Sequence, residues 1–519
     1  PSPFTEITCR SGIASAAANS VDANAASRAY AGIFGDGQLT TTQTGSNSGV
    51  TIEVIGTAHA KAKIGGTQFT VHLASMVANR VTAVVSAQQA AYIRDAAVTA
   101  NGIRIYSEFN KLYNLTYGSA TGNRYGAFAT VGNNGAASLA LLNVVTSFAN
   151  ASITGSVAAF IAGARLNVTG GDIDVLVDGR TYANADIITP STGVSLVNVT
   201  LISTSANAGG IFESYITSSY GADGALNKPG RIIAGTINIK VLYDAQAYAA
   251  NGPTGGFSAS LADGSVNVAT SNTGVRAESF VEGSGIIRAS ALNVLVTGTI
   301  LSTAESRTPS FTITGVKLAY NKAVANADAR LLAYIGITGP DSLIDVGALS
   351  VEAISASSRA VATVGASSRS TSISLVGGGI NSAASHSSVT ATAKLTGDGT
   401  GNVRAGTIDI RADVKSYSTA RAQAAFGVSI ATRGNLEALA DTLNNVSAGI
   451  EKTNVTATGN IAVNAKDDTQ AMAYGQSPGS LTAVNSSKTQ ITAKIGRGDG
   501  SRNTVGVFLG DGANVLSTG

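Results

Sequence analysis

The run from Gly406 to Ala424, GTIDIRADVKSYSTARAQA, alternates without a break between small apolar side chains and polar or charged ones. Ile408, Ile410, Ala412 and Val414 hold one parity; Asp409, Arg411, Asp413 and Lys415 hold the other. Successive side chains on a strand point to opposite faces, so the run has one apolar and one charged face. The parity continues through Ser416 and Ser418 to Ala420, Ala422 and Ala424, with Arg421 and Gln423 facing out. A usual strand has about five or six residues. The run therefore predicts two strands joined by a bend at Ser416–Ser418 with the same side kept inward, as in a solenoid turning a corner.

The Gly–x–(Ile/Leu)–x–(Ile/Val) core of this run recurs in GVTIEV (Ile52), NGIRIY (Ile103), GGDIDV (Ile173) and GTINIK (Ile237). It recurs again in SALNVL (Leu292), GALSVE (Leu349), GTIDIR (Ile408) and GNIAVN (Ile461). Subtracting successive positions gives intervals of 51, 70, 64, 55, 57, 59 and 53 residues. Self-similarity of this kind is the mark of a repeat architecture, one unit copied with insertions. Ala-alternating tracts follow most cores, as in AHAKAKI at 58–64 and ARAQAA at 420–425. Asp36-Gly37, Asp178-Gly179, Asp223-Gly224, Asp263-Gly264, Asp398-Gly399, Asp499-Gly500 and Asp511-Gly512 supply the expected corners. Asp-Gly pairs tolerate the positive φ that tight turns require.

Composition agrees with a thin interior. Charged residues are 13 % and aromatics 5 % of the 519, Trp is absent, and 60 are Gly. Conventional cores lean on aromatic burial; here Ala, Val and Ile carry the apolar 44 %. Only 8 prolines interrupt hydrogen-bond ladders. Net charge is +3 with no Lys/Arg cluster, which argues against nucleic acid as a partner. No run of about 18 apolar residues predicts membrane insertion, and the start, PSPFTEITCRSG, lacks signal-peptide features. The expected fold is an all-β parallel β-helix spanning 1–519 as one continuous solenoid of eight degenerate units, with 1–24 as an N-terminal extension or inter-subunit segment. Two or three coils of roughly 20–30 residues per unit predict about 20 coils and a rod of roughly 100 Å.

Two segments carry a helical alternative. LEALADTL at 436–443 has good helix formers and reads equally as a short helix leaving the coil. VTAVVSAQQAAYIRDAAVT at 81–99 is Ala-rich, but its β-branched residues favour strand. The final GVFLGDGANVLSTG has no polar cap, whereas solenoids need covered ends. More of the same chain or a stacked subunit is the expected cover.

The repeats VRAGTIDIRADVKSYSTARAQA and NVTATGNIAVNAKDDTQAMAYG, with AKIGRGDG and FLGDGANVLSTG as preceding turns, resemble large secreted bacterial filamentous adhesins. The likeness is to the haemagglutinin-like and leukotoxin-type filamentous proteins, clearest from about Ile232 onward. That resemblance implies export across an outer membrane, a right-handed parallel β-helix and a rod-like extracellular or cell-surface role. The chain departs from those proteins in showing no recognisable secretion domain or translocator barrel.

Candidate sites are few. Asp172, Asp174 and Asp178 in GGDIDVLVDG share one outward parity. Neighbouring acids there fit Ca²⁺ coordination or an acid/base pair, or simply a solvated strand face. Arg497-Gly498-Asp499 resembles an integrin-binding tripeptide, although turn chemistry accounts for it equally. Cys9, the single cysteine, excludes an internal disulfide and leaves an intermolecular link or a plain small residue. His59, His72 and His386 lack the convergent partners of a metal site and read as surface histidines. Asn114, Asn167 and Asn198 head glycosylation-type triplets that an Asn- and Thr-rich composition produces by itself. Gly377-Gly378-Gly379 reads as a turn, since no GK[ST] follows. No catalytic residue or cofactor is expected. The function expected is a structural subunit of an extracellular, cell-surface or biofilm filament that pairs with itself head to tail. An adhesin stalk binding a surface glycan, or a polysaccharide-degrading β-helix enzyme, is the alternative.

Overall fold

The computed structural model describes residues 4–6, 14–41, 49–65, 69–111, 125–132, 137–188, 191–217, 230–252, 256–307, 311–365, 371–477, 480–496 and 502–518. Every regular element among them is a strand, and the strands fall into two sheets with parallel pairing. The chain alternates between the sheets. Thr236–Gly252 lies in the first and Gly256–Gly283 in the second; Gly285–Arg307 returns to the first and Phe311–Ile337 to the second. This winding is a parallel β-solenoid.

Each copy of the sequence motif is one coil. Ile103 pairs with Ile173, Ile173 with Ile237, Ile237 with Leu292, Leu292 with Leu349, Leu349 with Ile408, and Ile408 with Ile461. The first copy is displaced by two residues, with Val50 opposite Ile103 and Ile52 opposite Ile105. The expected count of about 20 short coils is therefore wrong. The second sheet stacks nine rungs, from Ala14–Phe34 to Ser480–Ile495. Eight steps of about 4.8 Å make the stack roughly 40 Å tall. The extra residues go into width. Strands of 22–28 residues such as Asn402–Gln423 and Gly256–Gly283 have contour lengths of about 75–90 Å.

These long strands correct several local expectations. The founding run shows no corner: Ser416 and Ser418 lie within Asn402–Gln423 and point into the core. Ser418 Oγ donates to the Ser385 carbonyl at 2.7 Å, and Ser416 Oγ to Ser387 Oγ at 2.8 Å, across to the other sheet. The 436–443 segment is strand within Phe426–Ile450, its Leu436, Ala438 and Ala440 buried. There a template of parallel neighbours outweighs helix propensity, which tertiary context routinely overrides. The 81–99 segment likewise lies in strands Phe69–Arg94 and Ala97–Ala100, with a turn between. Asp398-Gly399 and Asp511-Gly512 are turns with φ of +90° and +73° at their glycines, and Asp36-Gly37 also lies between strands. Asp178-Gly179 and Asp263-Gly264 instead sit inside strands. At Gly179 a Cβ would fall 2.0 Å from the Phe212 ring, so glycine there makes room for an aromatic. Gly377–Gly379 is also strand, within Thr371–Gly397.

The core between the sheets is Ala, Val and Ile with serines that cross-link the layers. Ser279 Oγ donates to the Ile239 carbonyl at 2.7 Å, and Ser271 Oγ to the Ala247 carbonyl at 2.9 Å. Further along, Ser306 Oγ reaches the Asn267 carbonyl at 3.5 Å, so the end of one first-sheet strand lies opposite Asn267. The dozen or so residues before that point on each second-sheet strand have no first-sheet strand to face. They bend back on themselves as an arch.

One position per rung marks the bend by having no ladder partner. Ala140 and Leu142 pair with Ser195 and Val197, skipping Leu141 and Leu196; the gap continues through Leu261, Gly315, Leu375 and Ile430. Lys317 Nζ reaches Thr312 Oγ1 at 2.9 Å, and a Cβ on Gly377 would lie 2.9 Å from Ser374 Oγ, which places the two limbs face to face. The arch inverts the usual pattern. Its inside holds Asn143, Asn198, Asp263 and Lys317, with Asn143 Nδ2 to Asn198 Oδ1 at 3.0 Å and Asn198 Nδ2 to Asp263 Oδ1 at 2.8 Å. Its outside is apolar, with Leu141, Leu196, Leu261, Leu375 and Ile430 each 44–64 % exposed.

Candidate functional site

The three aspartates do not converge; each is engaged with a neighbouring rung or loop. Asp172 Oδ1 accepts the Thr236 backbone N–H at 2.8 Å. Asp174 Oδ1 accepts Asn238 Nδ2 at 2.9 Å, and Asn238 Oδ1 in turn accepts Asn293 Nδ2 at 3.0 Å. Asp178 is buried rather than solvated, because Lys111 folds over it. Lys111 Nζ lies 3.2 Å from Asp178 Oδ2 and 3.5 Å from Glu108 Oε2, with Arg180 Nε 3.8 Å from the other Asp178 oxygen.

Tyr106 completes this cluster, its hydroxyl donating to Glu108 and accepting Lys111 Nζ at 2.6 Å. Burial, then the bond to Glu108, pushes the Tyr106 phenol up to about 12. The bond to Tyr106 and the Asp178 carboxylate hold Lys111 firmly protonated. On the next rung burial raises Asp244, against bonds from Thr299 and Gln246 that lower it. Donors and acceptors here satisfy one another, the arrangement expected of a structural ionic knot.

Among the described residues no three His, Cys, Asp or Glu side chains are placed to hold a metal ion. His59 packs edge-on to Tyr125 and against Phe128, at 6.4 and 5.2 Å between ring centroids. His386 Nδ1 lies 2.6 Å from Asp441 Oδ1. The His72 side chain, Cys9, Asn114 and Arg497-Gly498-Asp499 lie outside the described residues. Asn198 is enclosed in the arch, between Asn143 and Asp263.

Two outer-face features of the second sheet escaped the sequence reading. Tyr92, Phe160, Tyr215, Phe280 and Tyr334 stack on successive rungs with centroids 4.8–5.2 Å apart and planes within 9° of parallel. Three columns away along the strands, a groove of about 830 Å³ crosses the rungs over Gly209 and Gly274. An amide ladder runs beside it, Asn272 Nδ2 to Asn207 Oδ1 at 2.8 Å and Asn326 Nδ2 to Asn272 Oδ1 at 2.7 Å. Arg276 and Arg330 line its other side, Arg276 Nε bonded to Glu278 Oε1 at 2.6 Å. The signal was present in ANAGG, SNTGV and ANADA, which align once the coil length is known.

The chain matches no family model, no curated protein and no solved structure.

Proposed function

We propose that the chain is a structural solenoid segment of an extracellular or cell-surface filament, extended by further rungs added at its ends. The supporting observation is the contrast between interior and terminal rungs. Ile408 and Ile410 are buried within the stack, while their partners Ile461 and Val463, one rung on, remain half-exposed. In the last rung of the second sheet Leu481, Val484, Val507 and Leu509 are 55–67 % exposed. Beyond them lie backbone N–H and C=O groups ready to pair, the property that makes an open edge template another strand. A rung of the same chain or of a second chain completes it equally well. The likeness to filamentous adhesin repeats and the dispersed charge favour this reading.

The test is electron microscopy of the isolated chain over a range of concentrations. Uniform fibres that lengthen with concentration are expected, and Val507→Lys, which places a charge at the open edge, is expected to stop elongation while leaving the far-UV spectrum unchanged. Elongation that proceeds equally in that variant overturns the reading.

The groove over Gly209 and Gly274 supports a second, adhesin-type reading, since amides and guanidinium groups at rung spacing suit an extended chain of hydroxyls and carboxylates. Saturable binding of an acidic polysaccharide that Arg330→Ala weakens would favour it. Asp172, Asp174 and Asp178 are each held in separate contacts, so the three do not form an acid/base pair with one another.

A further inference from the structure

We infer that the apolar outer face of the arches is a lateral interface at which two copies of this chain pack side by side. The face is continuous over seven rungs. One column runs Leu139, Val194, Ala259, Ile313, Ile373 and Val428 to Leu481, and the bend column beside it carries Leu141, Leu196, Leu261, Leu375 and Ile430. A third, from Leu142 and Val197 to Val316, Val376 and Val484, adds more. These side chains are 39–67 % exposed wherever they are Leu, Val or Ile, apart from Val428.

The area is what decides that this face has an occupant. At roughly 60–120 Å² per large aliphatic side chain, about half of it uncovered, the three columns leave on the order of 700 Å² of apolar surface. That exceeds the largest patch on most monomers, about 300–600 Å². It approaches the roughly 800 Å² that one partner contributes to a stable interface. The arch cannot hide this surface by turning inside out, because that would expose the leucines' places to Asp263 and Lys317 and strand the Asn143–Asn198–Asp263 bonds.

Row spacing and charge identify the occupant as a second copy. The columns repeat every 4.8 Å or so, and side chains of another parallel ladder fit between such rows in register. An isologous, two-fold pairing offers that match over all seven rungs. A lipid surface would call for a basic rim. Here the adjoining column contributes Arg433, the next carries no charge from Thr146 to Asn435, and the one after it carries Arg80, Lys322 and Glu437, sparse and of mixed sign. This lateral contact runs across all seven rungs and meets the last one only at Leu481 and Val484, so it stands apart from lengthwise assembly, which pairs the open backbone edge.

The experiment uses the full chain with Cys9→Ser, and sedimentation equilibrium over a concentration series. A reversible dimer is expected, with self-association at least about 100-fold weaker in a variant carrying Leu141→Ser, Leu196→Ser, Leu261→Ser and Leu375→Ser. These positions have no ladder partner and are exposed, so the variant's spectrum and melting should follow the parent's. Geometry is read by disulfide trapping: Leu261→Cys is expected to give covalent dimers, and Leu242→Cys, exposed on the first sheet, is expected to give none. Val507→Lys should leave the dimer intact, which separates this contact from end-to-end growth. A parent that stays monomeric, a quadruple variant that dimerises as well as the parent, or a monomer that binds phosphatidylcholine vesicles through this face would each overturn the proposal.

Discussion

Tyr215 sits between Phe160 and Phe280, at 4.9 and 4.8 Å, and is therefore the central rung of the aromatic column. Stacked pairs contribute about 0.5–1.5 kcal/mol each beyond area burial. Tyr215→Ala is expected to cost about 2–4 kcal/mol, read by chemical denaturation, because it breaks two stacks and leaves a gap. Tyr92→Ala, at the end of the column, should cost less. Asp398 gives a pH prediction. Its carboxylate accepts Thr400 Oγ1, the Thr400 N–H at 2.9 Å and the Gly339 N–H at 2.8 Å, which clamp two neighbouring turns and hold it at about 2, below the ordinary 3.8. A depressed folded pKa stabilises above the unfolded value, so this contribution is present above about pH 4 and disappears as pH falls toward 2. The difference in melting temperature between the parent and Asp398→Asn should shrink through that window; a constant difference would contradict the assignment. At this scale the sequence was highly legible. Parity alone placed Ile408, Ile410, Ala412, Val414, Ser416, Ser418, Ala420, Ala422 and Ala424 inward; the first eight are buried, and Ala424, just past the strand end, is half-buried. Parity failed to show that Asp178 is covered, because Lys111, which covers it, follows the paired strand Ile103–Phe109 and contacts it across rungs.

Strand length was the property least legible in the sequence. Expecting strands of ordinary length divides Asn402–Gln423 at Ser416, yet the serines are the layer-to-layer bonds of a core too thin for larger groups. That thinness is testable. Ala440 is fully buried, and Ala440→Leu is expected to destabilise by about 1–3 kcal/mol through overpacking, measured as a drop in denaturation midpoint. Leu439→Ala beside it, half-buried on the opposite face, should cost less. The arch did leave a written trace. Leu141-Leu142, Leu196-Val197 and Leu375-Val376 are adjacent apolar pairs that break period two, and each sits at the bend. Two apolar neighbours on one strand point the same way only where an unpaired residue shifts the pleat, as a bulge does. Their meaning emerges only when seven rungs are aligned, and alignment needs the coil length.

Coil length is the whole-molecule quantity, and the motif intervals held it all along. Intervals of 53–59 residues are single coils, and so are the longer 70 and 64, since Ile103 pairs with Ile173 and Ile173 with Ile237. A stack of equivalent coils should tolerate losing one. Leu343 and Asn402 are register partners, so deleting residues 343–401 lets Ile408 take the place of Leu349 against Leu292. The shortened chain is expected to fold with a similar melting curve and to be about 4.8 Å shorter by small-angle scattering. Deleting residues 343–370 instead joins two second-sheet strands in succession and should abolish folding. The winding also dictates how the molecule meets force. Inter-rung hydrogen bonds run along the stacking axis, so tension applied between the two ends bears on one ladder at a time. Each ladder that yields would pay out the contour of one coil: about 55 residues between Ile237 and Leu292, or roughly 190 Å of extended chain. A tether made this way lengthens roughly 40-fold before it parts, one coil at a time, in increments whose sizes are written in the spacing of a six-letter motif.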